Sequence, residues 1–340
     1  MRRITQQWAP TRSLSALSAI PKGSPPKHLS IAGRELSSST KTRPVPIAAA
    51  SSLSRRPALC SFASTSRLHG TETSNPNSTD PNFTTVSPDE VSHFNALASS
   101  WWDPQGPSRI LHLMNPLRHD FIRSCRASVP PDTSPDAPAT ATGGLRYLDI
   151  GCGGGIFAES AARLASTASV TAIDPSPAVL AVARAHARRD PALGAKLRYE
   201  NTSVEALPVP ADPARDGYDV VSVFEVVEHV AHPAAFLDRA APFVRPGGWL
   251  VLSTIARTWT SWLTTNVVAE DLLRIVPRGT HDWRKYVNED ELRRHFLEGR
   301  AGWGQPRCMG VVYVPGVGWR EVAGSEKIGN YFFAVRRDPE

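Results

Sequence analysis

Cysteine is scarce in this chain of 340 residues: four stand far apart, at Cys60, Cys125, Cys152 and Cys308, without a C-x-x-C pair. That spacing argues against a disulfide framework and for a reducing compartment. Runs of about 18 consecutive apolar residues are also missing, so no segment reads as a helix that crosses a bilayer. Acid is nearly absent from Met1 to Gly70, which carries eleven Lys or Arg and the single acid Glu35. Of the chain's 38 basic and 32 acidic residues, 27 and 31 are left for the remainder, a formal net charge of −4. The sequence pI of about 9.3 therefore belongs to the leader, and a nucleic-acid partner is not implied.

The leader, residues 1–70, is rich in Ser, Arg and Ala and lacks the apolar core of a secretory signal. Its composition is that of a mitochondrial transit peptide, the alternative being a merely basic disordered tail. A polar linker of Ser, Thr, Asn and Pro over 71–86 follows, and order is expected from Ser87. The remaining length and a hydrophobic content of 41% suit a folded domain over 87–337.

That domain is organised around Leu148-Asp149-Ile150-Gly151-Cys152-Gly153-Gly154-Gly155, where a short apolar strand runs into a glycine-rich bend and then a helix over Phe157 to Ala165. Gly151, Gly153 and Gly155 remove the Cβ atoms that would hold a ligand off the backbone and permit the positive φ of a tight turn. Exposed amides at the start of the next helix then face the ligand. Dinucleotide enzymes use a similar turn, but the spacing here is G-x-G-x-G rather than G-x-G-x-x-G. The following strand, Ser169 to Ile173, ends in Asp174, a carboxylate placed to accept both hydroxyls of a ribose.

Upstream, Ser87 and Glu90 have the spacing of a capping box, with Val91, Phe94 and Leu97 at helical intervals behind them. Trp101-Trp102 reads as a cap that buries one ring on the core. Asn115-Pro116 is expected to end one segment, and Arg118 to start the next helix with its cation toward the ligand. A loop from Pro130 to Gly144 looks like a tolerated insertion. Strands are then expected to Ile150, to Ile173, over Lys196 to Asn201, Val220 to Phe224 and Trp249 to Ser253, with a helix over Pro177 to Arg189. This alternation is that of an α/β fold with a doubly wound, mostly parallel sheet of seven strands. Ser203 sits where a loop after the third strand would approach an adenine ring, and it serves equally as an N-cap.

The fourth strand runs into Phe224-Glu225-Val226-Val227-Glu228-His229. On a helical turn Glu225, Glu228 and His229 fall at i, i+3 and i+4 and would share one face. Two carboxylates and an imidazole could hold a divalent ion, could take a proton from a phenol without metal, or could simply cap a helix. Phe224 is placed as a wall against the cofactor. Beyond the fifth strand, an insertion over 257–287 carries Trp262, Leu263, Val267, Leu272, Leu273 and Ile275 with flanking cations. It reads as an interfacial helix on an anionic membrane or as a greasy lid on the core. His281 and Asp282 either line the pocket or bond within a loop. Finally, Gly310 to Val314 and Tyr331 to Val335 read as strands, the second ending the sheet, with Pro315 to Asn330 a long loop between them.

The order of strand, glycine turn, helix, strand and acid resembles the class I S-adenosylmethionine-dependent methyltransferases. Ser100-Trp101-Trp102-Asp103, Asn115-Pro116-Leu117-Arg118, Leu148 to Gly155, Glu225 to Val230 and Val276-Pro277-Arg278-Gly279-Thr280-His281-Asp282-Trp283 together closely resemble the ubiquinone-biosynthesis O-methyltransferase family in its mitochondrial form. The likeness covers Pro88 to Arg337. It implies that Arg118, Gly151, Asp174 and Phe224 contact S-adenosylmethionine and that Glu225, Glu228 and His229 hold Mg2+. It implies O-methylation of polyprenylated catechols, namely dihydroxybenzoate and demethylubiquinol intermediates, in a complex of ubiquinone-biosynthesis proteins on the matrix face of the inner membrane. Two rivals stand beside it: a methyltransferase for another small phenol or acid, and a scaffold that binds S-adenosylmethionine without turnover.

Overall fold

The computed structural model describes residues 83–130, 143–258, 261 and 285–339. The leader and nearly all of the linker, the loop over 131–142 and the insertion over 262–284, with its Trp262, Leu273, His281 and Asp282, lie outside the described residues. Among the described residues, no helix is long and apolar enough to cross a membrane.

Eight strands form one sheet in the order β3-β2-β1-β4-β5-β8-β6-β7. They are β1 (Leu145–Ile150), β2 (Thr167–Asp174), β3 (Leu197–Asn201), β4 (Tyr218–Phe224), β5 (Val244–Ile255), β6 (Trp303–Val314), β7 (Gly318–Glu321) and β8 (Asn330–Arg337). The first five pair in parallel, and β8 inserts antiparallel between β5 and β6. Parallel strands buried on both faces need near-continuous apolar runs, which Val220 to Phe224, interrupted only by the buried Ser222, and Trp249 to Leu252 supply. The strand order reverses between β1 and β4, so a crevice opens at their carboxyl ends.

The helices are α1 (Pro88–Leu97), α2 (Arg109–Ala127), α3 (Ile156–Arg163), α4 (Pro177–Ala187), a single turn α5 (Pro213–Asp216), α6 (Pro233–Ala240) and α7 (Glu289–Leu297). Alternate residues of each strand feed two cores. Tyr147 and Val220 pack with Phe121 of α2, Phe157 of α3 and Leu180 of α4 on one face. Leu148 and Val221 pack with Leu237 of α6 and Phe296 of α7 on the other.

Four expectations need correction. Asn115-Pro116 does not end a helix: α2 runs through Pro116, because Met114, Phe121 and Ile122 bury one continuous stripe. That burial offsets the roughly 3 kcal/mol that an interior proline costs a helix. Asn115 and Arg118 thereby share a buried turn. Ser87 is the N-cap of α1, yet its side chain bonds no backbone amide and there is no capping box, since Glu90 is engaged elsewhere. The sheet has eight strands rather than seven, and β8 lies inside it rather than at its end. The supposed loop from Pro315 holds β7, whose Trp319 is buried and donates from Nε1 to the Ile110 carbonyl at 2.9 Å, which ties the hairpin to α2.

Candidate functional site

The bend after β1 is held through its backbone amides, which donate to one main-chain carbonyl and one carboxylate. Gly151 and Gly153 have φ of +71° and +53°, a region that only glycine enters at no steric cost. The amides of Gly151 and Cys152 both donate to the Ile173 carbonyl, at 2.9 and 3.0 Å. Asp174 completes the stitch, its Oδ2 accepting from the Gly153 amide and its Oδ1 from the Ser176 amide, each at 2.9 Å. Burial pushes the Asp174 carboxyl above its ordinary pKa, against the pull of those two amides. Each oxygen retains a lone pair for a hydroxyl donor. Asp149, one strand over, is buried and pushed up to about 7 by desolvation, which the Ser222 hydroxyl and Arg118 oppose.

Arg118 reaches the same crevice from α2 and is 4% exposed. Its guanidinium carbon lies 4.8 Å from the centre of the Phe224 ring. No ion pair engages it among the described residues, and Nε has no hydrogen-bond partner. Burial lowers its pKa against the charges of Glu225, Asp149 and Glu228, and a buried cation with no bonded anion could receive the carboxylate of a ligand. Asn115 keeps α2 in place by donating from Nδ2 to Ser160 Oγ at 2.7 Å.

A strip that the sequence did not mark as functional covers this half. The Trp101 ring lies so close on the bend that a Cβ at Gly153 would stand 2.4 Å from it. Trp102 donates from Nε1 to the Gly154 carbonyl at 2.8 Å and stacks on His186 with ring centres 3.5 Å apart. Farther up the strip, Thr85 donates from its amide to Glu205 Oε1 at 3.0 Å, and its carbonyl accepts from the Ala231 amide at 3.1 Å. Beneath lies a cavity of about 240 Å³ that Asp174, Ser203, Phe224, Arg118, Glu228 and His229 all line. Ser203 is no side-chain cap there: its carbonyl closes a turn by accepting from the Ala206 and Leu207 amides.

The end of β4 is built differently, from side chains. Glu225 has φ of +57°, a conformation that costs a non-glycine residue about 1–3 kcal/mol. It is fixed by Ser253, whose Oγ donates to Glu225 Oε1 at 2.6 Å. Only Val227–His229 is helical, as a single 3-10 turn. Glu228, 4% exposed, accepts from Thr254 Oγ1 at 2.9 Å. Burial, then the charge of Glu225, pushes the Glu228 carboxyl well above the usual carboxylate range.

His229 pairs through Nδ1 with Glu90 Oε2 at 2.9 Å, and Lys285 donates to Glu90 Oε1 at 2.5 Å. Burial opposes the charged imidazole, but the bond to Glu90 and the charges of Glu228, Glu90 and Glu225 outweigh it and raise its pKa. The same bond, against desolvation and helped by Lys285, holds Glu90 down to about 2.

The expectation of a metal triad is therefore corrected. Glu225 precedes the turn in a left-handed conformation, so the i, i+3, i+4 face never forms. The three side chains turn instead to Ser253, Thr254 and Glu90. Among the described residues, no group of three or more His, Cys, Asp or Glu side chains is placed to hold a metal ion. As they are placed, these three side chains do not form a site for Mg2+.

A family model described as a methyltransferase domain matches residues 117–302. Full-length relatives are more specific. The mitochondrial ubiquinone biosynthesis O-methyltransferase of Schizosaccharomyces pombe is 43% identical over 257 residues, 74% of this chain and 87% of that protein. That of Candida albicans is 39% identical over 287 residues, 75% and 86% of the two chains. The ubiquinone biosynthesis O-methyltransferase of Nitrobacter winogradskyi is 43% identical over 234 residues, 68% and 84% of the two chains. The chain belongs to the ubiquinone biosynthesis O-methyltransferases.

As a member of that family it is an S-adenosylmethionine-dependent methyltransferase, and the crevice fits this cofactor. Arg118 offers the missing partner for a methionine carboxylate, and Asp174 offers two oxygens for a ribose. Gly151, Gly153 and Gly155 form the bend between them, and Gly155 is the N-cap of α3. Sequence reasoning missed Glu90, Thr85 and Glu205. The one local signal was an acid at Glu90 on the same helical stripe as Phe94, since Glu90 and Phe94 are four residues apart.

Proposed function

We propose that this enzyme methylates a catechol oxygen of polyprenylated ubiquinone precursors, with His229 as the base. The carrying observation is that one cavity is lined by Arg118 and Asp174 and by an imidazole whose Nδ1 is already engaged. The bound cofactor supplies an electrophilic methyl group on a sulfonium. The chain's own part is to hold the acceptor in line and to take its proton. With Nδ1 held by Glu90, the free Nε2 of His229 receives the hydroxyl proton. Burial and the charge of Glu225 raise the Glu228 carboxyl to about 7, so its protonated form can offer a hydrogen bond to the neighbouring oxygen. Phe94 and Val91 of α1, with Phe236, give the cavity an apolar wall that excludes water.

The substrates, in this reading, are the prenylated dihydroxybenzoate and demethylubiquinol intermediates. The site of action is the mitochondrion, supported by the leader's composition and by the names of the fungal relatives. We further propose a peripheral position on the matrix side of the inner membrane. There the insertion over 257–287 would meet anionic lipid and other ubiquinone-biosynthesis proteins. Purified protein with labelled S-adenosylmethionine tests the chemistry: label is expected on prenylated catechols and none on their monophenol counterparts. Label confined to unprenylated phenols would make it a methyltransferase of another substrate. Cofactor binding without label on any of them would leave a non-catalytic scaffold.

A further inference from the structure

We infer that Glu90, on the N-terminal helix, is a positioning residue for the base, which it holds in the one tautomer and orientation that can accept a proton. The inference rests on His229 being that base. Glu90 lies 139 residues from His229 in sequence, yet its Oε2 stands 2.9 Å from Nδ1. The nearer carboxylates are committed elsewhere, Glu225 to Ser253 and Glu228 to Thr254. The other oxygen of Glu90 is fixed by Lys285, so the carboxylate cannot swing away freely. One turn farther along α1, Phe94 meets the imidazole edge to face, with ring centres 5.0 Å apart and planes at 81°. One helix face thus supplies the anion at Nδ1 and a wall against rotation of the ring.

The chemistry follows from the two nitrogens. A carboxylate only accepts hydrogen bonds, so the Nδ1 it faces carries hydrogen and Nε2 carries the lone pair. No hydrogen bond engages Nε2 among the described residues, and His229 lines the cavity. During transfer the acceptor's proton moves to Nε2, the oxygen's freed electron pair forms the bond to the methyl carbon while the sulfur–methyl bond breaks to leave a neutral thioether, and Nδ1–H stays hydrogen-bonded to Glu90. Without the carboxylate, the tautomer with hydrogen on Nε2, which cannot accept, competes. A base of this kind contributes about 10²- to 10⁴-fold to rate.

A residue that merely docked α1 would behave otherwise. The test is steady-state kinetics of Glu90→Gln, His229→Gln and the double variant on two acceptors, an alkyl-substituted catechol and its nitro derivative, which is already ionised at the assay pH. On the plain catechol, Glu90→Gln should lower kcat by about 100-fold, within the range of general-base effects, with KM and cofactor affinity changed less than about threefold. On the nitrocatechol the loss should shrink below about tenfold, and the double variant should be no slower than His229→Gln. Equal losses on both acceptors, or losses that multiply in the double variant, would overturn the inference. If His229→Gln itself left both rates unchanged, the base assignment beneath it would fall instead. Should the Gln variant not fold, Glu90→Asp keeps the charge for Lys285 while falling short of Nδ1, and the same contrast between acceptors decides.

Discussion

The two halves of the cavity are held by different means. At the cofactor end, glycine amides, the Ile173 carbonyl and Asp174 form a short lattice that spans only Gly151 to Ser176. At the acceptor end, Glu225, Glu228 and His229 are each placed by a side chain from another segment, the farthest being Glu90 on α1. A lattice of main-chain bonds is set as soon as β1 and β2 pair. An arrangement of side chains is complete only when distant pieces have docked. Binding and chemistry should therefore respond separately to substitution, which gives the comparison its tests.

The largest effect is expected at the cofactor end. Asp174→Ala removes two charge-assisted bonds, one to the bend at Gly153 and one to the Ser176 amide, each worth about 1.5–3 kcal/mol, together with the oxygens proposed to hold the ribose. Calorimetry should show cofactor affinity at least about a hundredfold weaker, from roughly 1.4 kcal/mol per tenfold. Affinity within a few-fold of the parent would end the distinction between the halves. A smaller effect concerns pH at the acceptor end. Because the pKa of His229 is raised above 6.5, its neutral, accepting form appears only as pH rises through that higher value. The rate should fall about tenfold per unit below it, and cofactor affinity should not follow. Stability runs the other way: the charged His229 stabilises the fold fully below pH 6.5 and loses that contribution as pH rises through the folded value. A pH–rate profile whose lower limb sits below 6.5 would contradict this. The smallest effect belongs to neither half. Trp319→Phe loses the bond to Ile110 and should lower stability by about 1 kcal/mol, seen in thermal melts, with kinetics unchanged.

This contrast also explains what could be read from the chain alone. The glycine bend, Asp174, Phe224 and the parallel strands were legible because each depends on neighbours within about one strand or turn. Three of the corrections come from partners far off in sequence. Glu90 has the spacing of a capping box with Ser87, but an imidazole 139 residues away outcompetes the backbone amide for its carboxylate. Pro116 is a stop signal that a buried helical stripe overrides. Trp319 sits in a glycine-rich stretch whose strand exists only because β6 offers an edge to pair with. The metal triad fails for a local reason, since a positive φ at Glu225 cannot be foreseen from a Phe-Glu-Val sequence.

The strip from Thr85 to Trp102 has a further bearing on the catalytic cycle. It both covers the bend, through Trp101, and carries Glu90 to His229. In the mechanism proposed above, the cover over the bend and the anion at the imidazole are therefore parts of one segment. A substitution that displaced the segment should disturb the cover and the imidazole together, although the two lie at opposite ends of the pocket.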